Sequence, residues 1–142
     1  MHAITETIDI AAEPDRVWAV LTDFAHYPDW NPFIVSMSGQ LELGAKLRAR
    51  LAPPGGKPMT FTPTLTVLEP GRAIGWLGRL LMPGIFDGAH RFDLQPIETG
   101  TRFTQTEEFR GVLVPLTKRT LARTADGFQA LNKAMKARAE AG

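Results

Sequence analysis

Alternation opens the chain. Ile4, Ile8 and Ile10 share one parity while Thr5, Thr7 and Asp9 share the other, the period of a strand with one buried face. Glu6 falls on the apolar side, where a lone carboxylate needs a partner or water, although a residue near the start of an edge strand is more often simply solvated. The spacing then becomes helical. Pro14 stands where a first turn tolerates proline, Glu13 and Asp15 suit its positive end, and Val17, Trp18 and Leu21 predict a helix of about two turns. Residues 25–32 carry two prolines, which predicts a tight helical turn whose Tyr27 and Trp30 plug one end of a sheet.

Strand patterns follow. Phe33, Val35 and Met37 alternate, and Leu47, Ala49 and Leu51 alternate against outward Lys46, Arg48 and Arg50. Pro53-Pro54-Gly55-Gly56-Lys57-Pro58 is a turn, after which residues 59–68 and 73–78 read as two strands joined at Glu69-Pro70-Gly71-Arg72. Residues 85–95 and 101–110 form a last hairpin, and Pro115 opens a helix with Leu121, Ala125, Phe128, Leu131 and Met135 on one stripe. The economical packing is α+β: a curved seven-stranded antiparallel sheet around a long C-terminal helix, with two short helices near the N-terminus.

At 142 residues, with no linker, repeat or low-complexity tract, one domain over 1–142 is expected. A formal charge of +1 argues against nucleic acid or an anionic membrane as a bulk electrostatic partner. Lys118, Arg119, Arg123, Lys133, Lys136 and Arg138 on the last helix lack interleaved aromatics and read as a solvated face. There is no cysteine, and His2, His26 and His90 have no mutual ligand spacing, so no metal site is expected. Nucleophile-elbow, dinucleotide and phosphate-loop motifs are missing, so no cofactor is implied. The N-terminus runs straight into a strand and no apolar run is long enough for a membrane span, which makes the cytoplasm the expected location.

The chemistry lies in the last hairpin. His90, Phe92 and Leu94 share a face, as do Phe103, Gln105, Glu107 and Phe109. For both faces to turn inward, paired residue numbers must sum to an odd value. A short loop at Glu98 and Thr99 sets His90 opposite Glu107 and Phe92 opposite Gln105, unless a bulge at Gly100 shifts the register. Such a pair has three uses: architecture, anchoring a ligand, or acid–base work. Trp30, Asn31, Trp76 and Phe128 complete the candidate pocket, with a turn cap as the other role of Asn31 and core packing as the other role of Trp76 and Phe128. Alternating strand direction puts loops 52–58, 79–86 and 111–116 at one end. Leu81, Met82, Phe86 and Val114 make that end apolar, as a pocket mouth, a core cap or a homodimer contact.

The order of elements, Val17-Trp18, Tyr27-Pro28-Asp29-Trp30-Asn31-Pro32-Phe33, His90-Arg91-Phe92 and Glu107-Glu108-Phe109-Arg110-Gly111 together resemble the START-like (SRPBCC) superfamily. The closer likeness is to its bacterial polyketide cyclase/dehydrase and lipid-transport-like branch. The resemblance covers essentially the whole chain. It implies a helix-grip fold with a cavity between sheet and C-terminal helix, and members that bind lipids, hormones, polyketides or other apolar molecules, only some of them enzymes. The expected function is binding of a lipid- or polyketide-like molecule. The alternative is a cyclase, aromatase or dehydrase with His90 and Glu107 as acid and base.

Overall fold

Pro63 decides how the sheet is cut. It has no N–H to give a neighbouring strand, so the run 59–68 divides into β4 (Met59–Phe61) and β5 (Thr64–Glu69). The computed structural model describes residues 2–80, 84, 86–114 and 118–142, with the side chains of 80, 86 and 118 left aside. Before the cut come β1 (His2–Ile10), α1 (Pro14–Thr22), a 3-10 turn (Phe24–His26), α2 (Tyr27–Trp30), β2 (Ile34–Ser38) and β3 (Arg48–Leu51). After it come β6 (Ala73–Leu80), β7 (Phe86–Ile97), β8 (Gly100–Arg110) and α3 (Lys118–Ala141).

The strands form a five-stranded sheet in the order β1-β8-β7-β6-β5 and a three-stranded sheet in the order β2-β3-β4. This corrects the single seven-stranded sheet that patterning predicts. The antiparallel α+β plan with its long last helix stands. The two sheets meet at the break itself: Lys46 bridges Thr64, the Leu47 amide donates to the Pro63 carbonyl at 2.8 Å, and the Leu65 amide donates to the Ala45 carbonyl at 2.9 Å. Proline ends one ladder, and its carbonyl helps to join the next.

Local chemistry places the remaining elements. Pro14 starts α1, which buries Val17, Val20 and Leu21. The prolines of residues 25–32 hold the tight turn, where Phe24, Tyr27 and Trp30 meet edge to face and the buried Tyr27 hydroxyl donates to the Leu21 carbonyl. The β7–β8 loop is the two-residue Glu98-Thr99, and Gly100, with φ 142°, packs where a Cβ would collide with the Ile10 carbonyl. No bulge intervenes, so the register pairs His90 with Glu107 and Phe92 with Gln105.

α3 buries the stripe Leu121, Phe128, Leu131 and Met135, with Ala125 partly covered. Gly127 lets the Phe33 ring lie against its backbone. At its far end the Arg16 guanidinium donates to the carbonyls of Arg138 and Ala139 at 3.1 and 3.3 Å, satisfying groups that a helix C-terminus leaves open. Among the described residues no helix is long and apolar enough to cross a membrane.

Candidate functional site

Two glycines hollow out the inner face. Gly78 on β6 and Gly88 on β7 pair directly across the ladder, on the same inward parity as Trp76 and His90. Neither has a side chain to fill the space beneath α3, which presents the small Thr120 and Thr124 there. The result is a chamber of about 130 Å³, walled by Phe33, Phe61, Trp76 and Phe109. His90 and Glu107 stand on its floor, and Pro53, Met59 and Arg79 line it as well. Gly88 has a second effect: a Cβ there would collide with the Glu107 carboxyl, so glycine is what lets that side chain lie inward.

His90 is 6 % exposed and sandwiched, its ring stacked on Phe92 at 4.5 Å and on Phe128 at 4.7 Å. A hydrogen-bond chain fixes its tautomer. The Gln105 amide nitrogen donates to the Phe128 carbonyl at 3.0 Å and to Asn132 Oδ1 at 2.6 Å, and a main-chain carbonyl can only accept. Gln105 Oε1 is therefore turned toward His90 Nε2 at 3.1 Å, and that nitrogen must carry the proton. His90 Nδ1 is left as a bare acceptor, 3.9 Å from Glu107 Oε1. That gap is too wide for a direct hydrogen bond.

Burial governs the charge of both groups. It pushes the His90 imidazole down to about 4, against the opposing pull of the Gln105 hydrogen bond. It pushes the Glu107 carboxyl up to about 8. Near neutral pH the floor of the chamber is thus an uncharged imidazole beside a carboxylic acid, one an acceptor at Nδ1 and the other a donor.

The structure sorts the expected site residues. Trp76, His90 and Glu107 line the chamber. Phe92, Gln105 and Phe128 lie behind it, as the plates and the hydrogen-bond partner that hold His90. Asn31 belongs to the turn: its Oδ1 accepts from the amides of Phe33 and Ile34 at 3.0 and 2.8 Å. Trp30 borders a separate groove with Arg16, Asp23, His26 and Arg138. Glu6, half-buried on β1, accepts from Gln129 on α3. Leu81, Met82 and the Phe86 side chain lie outside the described residues, as does Pro115. Val114 is buried, and the Val112 amide donates to the Gly84 carbonyl at 3.2 Å. Sequence reasoning missed Gly78, Gly88, Phe61 and the two threonines. Glycines on the inward parity beside Trp76 and His90 were the available signal. Among the described residues no three of His, Asp or Glu are placed to share a metal ion.

The family model described as "Polyketide cyclase / dehydrase and lipid transport" matches residues 1–140. No curated protein matches the sequence. Among solved structures the chain is similar to Zhui aromatase/cyclase from Streptomyces sp. R1128, with 20 % identity over 98 % of this chain and 93 % of that one, at a TM-score of 0.79. A START superfamily protein from Mycobacterium smegmatis is 20 % identical over 99 % and 98 % of the two chains, at 0.76. A protein from Thermus thermophilus is 16 % identical over 99 % and 98 %, at 0.77. These likenesses carry the fold.

Proposed function

The chain belongs to the polyketide cyclase / dehydrase and lipid transport family, within the START-like superfamily, and from that premise we propose that it binds a hydrophobic or aromatic small molecule, lipid- or polyketide-like, between sheet and α3. The observation that carries this reading is the chamber itself: apolar walls over a floor of two polar groups, both uncharged near pH 7. Burial of a guest against such walls supplies about 25 cal/mol per Å² of apolar surface, and a few polar groups set its orientation. A ligand present at about 100 times its Kd adds about 2.7 kcal/mol of stability, which is several degrees in Tm for a domain of this size. Native mass spectrometry and thermal shift with fatty acids, sterols and aromatic polyketides should therefore find at least one adduct that raises Tm. A panel in which nothing binds or stabilises rejects the reading.

One observation favours a second reading, that the protein is a cyclase, aromatase or dehydrase. An acid kept protonated to about pH 8 and a bare imidazole nitrogen face the same space 3.9 Å apart. With a β-hydroxy carbonyl compound, His90 Nδ1 would take the α-proton while Glu107 gives its proton to the departing hydroxyl. One C–H and one C–O bond break, a C=C bond forms and water leaves. On a substrate that is turned over, His90→Ala and Glu107→Gln should each lower kcat by about 100-fold or more. Unchanged turnover in both variants excludes this mechanism.

A further inference from the structure

The floor of the chamber specifies more than apolarity. Resting on the reading of the chamber as a binding site, we propose that its preferred guest is a neutral single-ring molecule bearing one hydroxyl, a phenol or a small cyclic alcohol, whose oxygen bridges His90 and Glu107.

Three observations fix this class. Size is the first: an engineered apolar cavity of about 150 Å³ holds one benzene, and this chamber measures about 130 Å³. One ring fills it. The second is the gap of 3.9 Å between His90 Nδ1 and Glu107 Oε1. Two hydrogen bonds of about 2.8 Å close a triangle on that base, so a single oxygen reaches both atoms. The third is the direction of those bonds. His90 Nδ1 can only accept, because Nε2 carries the proton toward Gln105. Glu107 in its acid form donates.

The bridging atom must then give one hydrogen bond and take another, which a hydroxyl does. A ketone oxygen has no proton for Nδ1. A carboxylate has none either and carries a charge between aromatic walls, and an ammonium cannot accept from Glu107. A hydroxyl-bearing ring also reproduces the hydrogen bonds of a water held at that point, so displacing the water loses nothing polar.

Calorimetric titration of the full chain at pH 7 with p-cresol, p-xylene, p-toluate and 2-naphthol tests this. The expected order puts p-cresol first. The isosteric p-xylene should bind about tenfold weaker or more, since it leaves a dry donor and a dry acceptor unpaired. Binding of p-toluate should be weaker again, and 2-naphthol should suffer from its second ring. In Glu107→Leu the preference for p-cresol over p-xylene should shrink to what the bond to His90 Nδ1 alone supplies, while p-xylene still binds, which also shows that the chamber is intact. The wild-type comparison stands without the variant. Equal binding of p-cresol and p-xylene, or of p-cresol and p-toluate, overturns the proposal, as does a clear preference for 2-naphthol. If fatty acids or sterols bind and p-cresol does not, this inference falls and the broader binding reading survives. If no apolar compound of any size binds, both fall.

Discussion

Glu107 is the residue whose chemistry the fold changes most. Its carboxyl, ordinarily near 4.5, is raised by burial to about 8. As pH climbs through that window the unfolded chain releases this proton while the native chain keeps it, so stability declines by up to about 1.4 kcal/mol per pH unit. His90 acts in the opposite direction, ordinarily near 6.5 and lowered by burial to about 4, so its share of stability is lost as pH falls through that range. Glu107→Gln is neutral at every pH. Thermal unfolding at pH 5, 7 and 9 should show the variant gaining on the wild type by a few kcal/mol between pH 5 and 9. A constant gap would mean that the carboxyl is ionised in the native protein. The pairing of His90 with Glu107 was legible in the sequence, because parity and a two-residue loop leave one register. The protonation states were not, since desolvation depends on what covers the pair. Asn31 shows the converse case: its position before Pro32 already allowed the turn-cap role that the structure assigns to it.

Between elements, glycine decides how closely backbones approach. In an ordinary helix interior, replacing glycine by alanine gains about 1 kcal/mol. Gly127 in α3 should reverse that sign, because its Cβ would stand inside the contact distance of the Phe33 ring, which is itself held edge to face with Phe128 at 5.7 Å. Overpacking of this kind costs about 1–3 kcal/mol. Gly127→Ala should therefore lower the denaturant midpoint with an unchanged m-value, and a raised midpoint would show that the Phe33 ring yields freely. The stripe of α3, the β7–β8 hairpin and the tight turn around Tyr27 were all readable from periodicity and proline. The division of the sheet was readable too, but only by weighting Pro63 above the alternation around it. An apolar period says that a face is buried, whereas a missing N–H says where a ladder must stop.

For the molecule as a whole, the hollow is a difference of volumes: inward glycines signal where it can open, but no local pattern reports its size. It exists because Gly78 and Gly88 face each other beneath Thr120 and Thr124, residues that lie far apart in sequence and meet only after β6, β7 and α3 have packed. Its size and the neutrality of its floor belong to this chain. The most direct test is to fill it. A Cβ on Gly78 meets nothing nearer than the Gly88 carbonyl at 3.9 Å, so Gly78→Leu can place its side chain in the chamber without moving the backbone. Calorimetric titration of wild type and Gly78→Leu with p-cresol and with any ligand identified by native mass spectrometry, beside their melting curves, decides the matter. Gly78→Leu should melt at or above the wild-type Tm and bind no ligand. A stably folded Gly78→Leu that still takes up ligand with wild-type affinity would contradict that expectation.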